Sequence, residues 1–208
     1  LRNSSAASDV YKRQDIKMLQ NSDKLIALWN SQSKGTRRNI ETFEKGEVKV
    51  LTYPINITYS EKGIGGALSI NDKVSRERGY IKSSYEVYYG NHTYECAIDL
   101  YQNEKIKKSF IDKLDPEKAY EEEETWKEKE WITKVMESKF ISNPFLYEEV
   151  KLRGGEEWLI TCRHIGDRRN SRKNKINWEG AGESSNYIAC LTEAFIRVDE
   201  IMTNKSKK

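Results

Sequence analysis

Residues Ile132–Phe140 read ITKVMESKF, and the apolar residues in this stretch recur at the spacing of an α-helix. Ile132, Val135, Met136 and Phe140 fall on one side of such a helix, because three or four residues separate each from the next. The pattern predicts a helix that packs an apolar stripe on a core. The fold is therefore expected to be built mainly from helices.

A second helix of this kind is predicted near the carboxyl end, where the hydroxyl groups of Ser184 and Ser185 can cap its first turn. Its inner face is expected to comprise Tyr187, Leu191, Ala194, Phe195 and Val198. Earlier in the chain, Gly90-Asn91-His92 separates two short runs rich in tyrosine, which is typical of a β-hairpin. The chain is predicted to be an α+β protein, mainly helical with a small antiparallel hairpin.

Composition narrows the class of protein. The 208 residues fit one domain or two small ones. No apolar run approaches the roughly 20 residues of a membrane span, so no membrane partner is expected. Three widely spaced cysteines and two histidines argue against a disulfide scaffold, a zinc finger or a His-rich metal site. The net charge of +3 is too small to indicate a nucleic-acid binder. We expect a cytoplasmic protein without a metal or cofactor.

The first residues have the character of a sequencing artefact. Residues 4–14 read SSAASDVYKRQ, which is the translation of an adapter used in transposase-based DNA library preparation. Residues 1–14 are therefore left out of fold reasoning, and the natural reading frame is expected to begin upstream. A natural disordered tail is the alternative interpretation.

Residues 15–55 contain a strand–helix–strand pattern. Lys24–Trp29, KLIALW, is a short apolar run typical of a buried strand. A helix is predicted over Arg37–Lys45 and a second strand over Val48–Leu51. This order is a βαβ unit, the repeating element of Rossmann-like sheets.

The loop before this helix carries Ser33, Gly35 and Thr36. A helix N-terminus offers backbone N–H groups and the positive end of the helix dipole, which suit a phosphate group. The two hydroxyl groups add further donors. The alternative interpretation is a plain helix cap with no ligand.

This segment resembles the C-terminal part of SLOG-superfamily proteins, in particular the YspA-like branch. There a strand ending D-x-L-I-A-x-W is followed by S-K-G-T and a helix. The matching residues here are Asp23, Leu25, Ile26, Ala27, Trp29, Ser33, Lys34, Gly35 and Thr36. That family is implicated in binding nucleotides or nucleotide-derived ligands. The resemblance therefore implies a partial nucleotide-binding unit over residues 15–55.

Residues 56–203 are predicted to form the main domain, and residues 204–208 a disordered tail. The motif order over residues 62–202 resembles the NADAR family: a hairpin, a helix with Y-Q-x-x-K, a helix with K-F-x-x-x-P-x-L, a glycine turn, and a W-E-G-x-G loop before a terminal helix. The matching residues are Tyr94, Cys96, Tyr101, Gln102, Lys105, Lys139, Phe140, Pro144, Leu146, Gly154, Gly155, Trp158, Leu159, Cys162, His164, Trp178, Glu179, Gly180 and Gly182.

The resemblance implies an N-glycosidase, because family members cleave the bond between a ribose carbon and a nitrogen base. Characterised branches act on intermediates of the riboflavin pathway or on ADP-ribosylated guanine. The expected activity is hydrolysis of a ribose–base bond in a nucleotide-type or ADP-ribosylated substrate. The expected partner is a small nucleotide-derived ligand.

Such a reaction develops positive charge on the ribose ring, so it needs a carboxylate, a positioned water and a donor for the departing base. Trp178 is the candidate for stacking on the base, and Gly180 and Gly182 let the backbone approach a ligand. Glu179 is a candidate carboxylate, and Lys105 is a candidate phosphate partner or proton donor. The alternatives are a core tryptophan, a solvated glutamate and a surface lysine.

The predicted helix Cys96–Lys105 also supplies Tyr101 and Gln102 as substrate-binding candidates. The sequence departs from the family at Ile98, where the family carries a presumed catalytic glutamate. Glu95 shares a helix face with Ile98 and is the candidate substitute, displaced by one turn.

Two other functions are open. The chain can be a sensor that binds ADP-ribose or NAD-derived ligands without cleaving them, as Ile98 would allow. It can also be a phage or defence accessory that contacts nucleic acid through a basic loop. That loop carries Arg163, Arg168, Arg169, Arg172, Lys173 and Lys175. The near-neutral charge of the whole chain favours a plain surface loop. For His164, hydrogen bonding within the core is favoured over a nucleophilic pair with Cys162.

Overall fold

The computed structural model describes residues 17, 18, 20–29, 33–43, 47–103, 121–166 and 178–206. These residues belong to two compact units. The first contains the described residues up to Tyr53 together with Lys151–Gly154, and the second contains Pro54–Val150 and the described residues from Gly155 onward. Some of the sequence-based predictions concern residues outside the described part. They are the predictions for residues 1–14, for Lys105, for the basic loop after Arg163 and for residues 207–208.

The first unit is a parallel βαβ unit, as predicted. Strand β1 spans Lys24–Trp29, helix α1 spans Lys34–Thr42, and strand β2 spans Glu47–Thr52. The two strands pair in parallel from Lys24 opposite Glu47 to Trp29 opposite Thr52. The helix begins at Lys34 and not at Arg37, because Ser33 caps it and so adds the S-K-G-T residues to its first turn.

The small core of the first unit lies on one face of the strand pair. Ala27, Trp29 and Ile40 are buried there, since alternate residues of a strand point to the same face. On the opposite face Ile26 is 60% exposed and Leu28 is 79% exposed. One face of this sheet therefore carries apolar side chains in contact with solvent.

The second part of the chain is mainly helical, with short strands. Its elements, in chain order, are β3 Asn56–Ile57, α2 Ile64–Ala67, α3 Asp72–Glu77, β4 Val87–Tyr89, β5 His92–Tyr94, α4 (described over 97–103), α5 Glu121–Ser142, α6 Pro144–Leu152, α7 Gly155–Leu159, β6 Arg163–His164, β7 Gly180–Ala181 and α8 Asn186–Ser206. A short 3-10 turn, Gly182–Ser184, precedes α8. The predicted α+β class is confirmed.

Helices α5 and α8 form the centre of the second unit, and the predicted apolar stripes of both are buried there. The rings of Phe140 and Phe195 meet edge to face at 6.0 Å, and Tyr147 stacks on Phe195 at 5.4 Å. Such aromatic pairs add to the free energy gained from burial alone. Helix α8 continues through Ser206, so residues 204–206 are helical, which corrects the predicted disordered tail there.

Two small sheets flank these helices. Strands β4 and β5 form the predicted antiparallel hairpin, with Val87 opposite Tyr94. His92, expected in the turn, is the first residue of β5. Strand β6 lies between β3, which is parallel to it, and β7, which is antiparallel. None of the helices in the described part of the chain has the length and apolar character that a membrane crossing requires.

The aromatic centre of the second unit predicts the outcome of a matched pair of substitutions. Phe140→Ala removes a ring with no solvent exposure and should lower the free energy of unfolding by about 3–5 kcal/mol. Phe145→Ala, at a ring that is 66% exposed, should change it by about 0.5 kcal/mol or less. Urea denaturation followed by circular dichroism measures both, and equal losses would contradict this description of the core.

Candidate functional site

A pocket lies in the first unit at the carboxyl ends of both strands. Its volume is about 420 Å³. It is lined by Leu28, Trp29, Ser33, Thr36, Leu51, Thr52 and Tyr53. In open α/β sheets, ligands bind outside the carboxyl ends of parallel strands, beside the N-terminus of the following helix. The pocket occupies that position.

The predicted phosphate-binding residues border this pocket. The Ser33 hydroxyl caps α1 by accepting hydrogen bonds from the Thr36 N–H at 3.3 Å and from the Thr36 hydroxyl at 3.0 Å. Gly35 lies in the first turn, where a β-carbon would meet no atom within 4 Å. Ser33 thus caps the helix, and the Ser33 and Thr36 hydroxyl groups also form part of the pocket wall.

Arg153 adds positive charge near this wall. Its guanidinium lies 5.0 Å from the centre of the Trp29 ring, and its backbone carbonyl accepts a hydrogen bond from the Thr52 hydroxyl at 3.1 Å. Trp29 and Thr52 both line the pocket. Sequence reasoning missed Arg153 because it lies far along the chain from the βαβ unit.

In the second unit, Glu95 is engaged in ion pairs. One of its carboxylate oxygens accepts a hydrogen bond from the Lys73 ammonium at 2.7 Å, and the other contacts the Arg76 guanidinium. These contacts, the one with Lys73 first, lower the pKa of the Glu95 carboxyl. A carboxylate held between two cations is a weak base, so this geometry does not favour Glu95 as the substitute for the missing glutamate.

The predicted helix around Ile98 is present as α4. The Tyr101 hydroxyl donates a hydrogen bond to Glu128 on α5, and the Tyr101 ring packs against the main core. Gln102 is exposed on the same helix. Tyr101 is therefore tied to the protein, while Gln102 faces solvent.

The bend Trp178–Gly182 is fixed by hydrogen bonds to the Trp178 carbonyl. This carbonyl lies 2.7 Å from Nδ1 of His164 and accepts a bond from the Ser185 hydroxyl at 2.8 Å. Gly182 has a φ of 55°, and a β-carbon there would lie 2.5 Å from the Ile160 carbonyl oxygen. The close approach that Gly182 permits is thus to this carbonyl, while Gly180 lies opposite His164 in the sheet.

Glu179 points part of its carboxylate into the protein. Its Oε1 atom is buried and has no hydrogen-bond partner among the residues that the structure describes. A β-carbon at Gly166 would lie 3.0 Å from this oxygen, so the glycine makes room for it. An unpartnered buried carboxylate oxygen costs free energy, and Asp72 Oδ2 is a second such oxygen in the described part of the second unit.

A fully buried ion pair lies elsewhere in the second unit. The Lys139 ammonium donates to Asp72 at 2.6 Å and to the Ser69 carbonyl at 2.8 Å, and neither charged side chain is exposed. Burial raises the pKa of the Asp72 carboxyl and lowers the pKa of the Lys139 ammonium, while their mutual attraction opposes both shifts. The pair is sealed from solvent, so its effect is on structure.

The structure brings some predicted site residues together and not others. Trp178, Glu179, Gly180 and Gly182 share one bend because they are neighbours in the chain, and Trp178 and Tyr101 each pack against the main core of the second unit. Glu95 is instead paired with residues of α3. Ser33 and Thr36 belong to the first unit. Within the described ranges, no group of three potential metal-binding side chains is present.

Comparison with family models, with curated proteins and with solved structures finds no match to this chain.

The buried pair gives a testable difference between a single and a double substitution. Lys139→Met leaves the Asp72 carboxylate buried without its cation and should cost about 3–5 kcal/mol of unfolding free energy. Asp72→Leu combined with Lys139→Met removes both charges and should restore most of that loss. Urea denaturation of the two variants provides the measurement, and a double variant no more stable than the single one would be the contrary result.

Proposed function

We propose that the second unit hydrolyses the bond between ribose and base in a nucleotide-type or ADP-ribosylated substrate. The observation that carries the proposal is the Glu179 carboxylate, whose buried oxygen has no hydrogen-bond partner within the described residues. A carboxylate in that condition can stabilise the positive charge that develops on a ribose ring as the base departs. The resemblance of the motif order to the NADAR family points to the same chemistry.

Neighbouring groups fit this activity. Trp178 adjoins Glu179, is half-buried against the main core, and is the residue proposed to stack on the base. The thiol groups are also relevant to the setting of this activity. Free, buried thiols are found at Cys96, Cys162 and Cys190. Thiols stay reduced in the cytosol, which supports the proposal of a cytoplasmic protein acting on nucleotide-derived substrates.

A substitution at Glu179 tests the proposed activity. The intact protein, incubated with ADP-ribosylated guanosine and with pyrimidine ribosides, should release free base detectable by chromatography. Glu179→Gln keeps the size of the side chain but removes its charge, so the rate should fall about 100-fold or more. Glu183→Gln is the matched control, since Glu183 is exposed in the adjacent 3-10 turn and should keep the original rate. Absence of base release from the unaltered protein would refute the proposal.

The pocket of the first unit favours a second function, binding of a nucleotide-derived ligand without cleavage. The pocket is lined by hydroxyl groups at a helix N-terminus and also by Leu28, Leu51 and Tyr53. A ligand with a phosphate group and a flat heterocycle has matching polar and apolar parts. Ile98 is consistent with this function, because an isoleucine at the family glutamate position cannot activate water.

Binding of adenosine monophosphate, measured by calorimetry, tests the pocket. Thr36→Val removes a hydroxyl group that would turn from Ser33 to the phosphate on binding, and it should weaken binding about tenfold, the loss of roughly one hydrogen bond to a charged group. Thr42→Val is the control, because the Thr42 hydroxyl bonds the Arg38 carbonyl at the exposed end of α1. Equal affinities of the two variants would show that the ligand does not use this wall.

A further inference from the structure

His164 stands out among the polar residues around the bend Trp178–Gly182. It lies on β6, the middle strand of its sheet, in register with Ile57 on one side and Gly180 on the other. Gly180 has a φ of 134°, and a β-carbon there would lie 3.0 Å from the Ser184 hydroxyl oxygen, so this register position requires glycine. The position is set by the sheet and is adjacent to the proposed hydrolytic site.

The hydrogen bond of His164 fixes its tautomer. Nδ1 lies 2.7 Å from the Trp178 carbonyl oxygen, which can only accept, so Nδ1 carries the hydrogen. Burial is the main cause that lowers the pKa of His164, and the ring is neutral at pH 7. Nε2 therefore holds a lone pair, and it makes no hydrogen bond to any residue in the described ranges.

The ring is also held in orientation. It stacks on the ring of Tyr187 at 4.1 Å, with 24° between the two planes. Tyr187 is itself fixed, because its buried hydroxyl donates to the Leu68 carbonyl at 2.8 Å. A neutral imidazole with a fixed tautomer and a fixed ring plane has the properties of a general base.

Two carboxylates of the second unit are less suited than His164 to accept a proton from water. Glu95 is held between two cations, and Asp72 is sealed from solvent with Lys139. His164 is only partly buried, and the negative charge of Glu179 acts on its ring. That charge stabilises the imidazolium that forms when the ring takes up a proton.

We propose that Nε2 of His164 is the proton acceptor for the attacking water in the hydrolysis described above, an inference that rests on the proposed function. The water oxygen bonds to the ribose carbon as the carbon–nitrogen bond breaks, and the electron pair of that bond goes to the departing nitrogen. The proton leaves the water for Nε2 and is then delivered to that nitrogen. The products are the free base and a sugar with a new hydroxyl group.

The chain contains two histidines, which gives the test a matched control. His164→Gln places an amide group, which is not basic, at the position of Nε2. Its rate of base release from ADP-ribosylated guanosine should fall between 100-fold and 10,000-fold. His92→Gln, at the exposed start of β5, should keep the original rate within about twofold.

Long-range proton–nitrogen NMR of the unaltered protein tests the same inference without a substitution. The spectrum should show the His164 proton on Nδ1, and added ADP-ribose should shift the Nε2 signal of His164 and leave that of His92 in place. A proton on Nε2, or an unchanged rate in a folded His164→Gln variant, would overturn the role of His164 and leave the proposed function intact. No base release from the unaltered protein would overturn both.

Discussion

The ammonium group of Lys139 is sealed from solvent and is held by oxygen atoms of the segment Leu68–Asp72. Carbonyl groups of the same segment accept hydrogen bonds from the Ile98 N–H and from the Tyr187 hydroxyl. One short stretch therefore joins α4, α5 and α8. Burying a charge is costly, and the two hydrogen bonds of the Lys139 ammonium offset part of that cost, while Asp72 Oδ2 has no partner among the described residues. The arrangement of the second unit depends on this geometry.

The segment Leu68–Asp72 also positions two residues that bear on the proposed activity. It places Ile98, which cannot act on water, at the start of α4, and it fixes Tyr187, on which His164 stacks. The apolar residue and the imidazole are thus organised by the same hydrogen-bonded stretch. The proposed base therefore lies on strand β6, away from helix α4, which carries Ile98.

The long helices α5 and α8 and the βαβ unit could be predicted because their signals are local. The spacing of Val135, Met136 and Phe140 is a property of fewer than two turns of helix, and the structure buries all three. The partnership of Lys139 with Asp72 joins residues 67 positions apart, so no local pattern reveals it. Gly182 has a positive φ and a carbonyl of its own chain against it, which composition alone cannot distinguish from an approach to a ligand.

Ser185 has two tasks that belong to different parts of the second unit. Its hydroxyl accepts from the Ile188 N–H at 3.3 Å, which caps α8, and it donates to the Trp178 carbonyl that also orients His164. The distance along the chain between Trp178 and Ser185 is therefore constrained from both ends. A one-residue insertion or deletion in this interval would disturb the entry of α8 and the imidazole together, whereas changes of side chain at its exposed positions would not. In related chains, the length of this loop should consequently vary less than its composition.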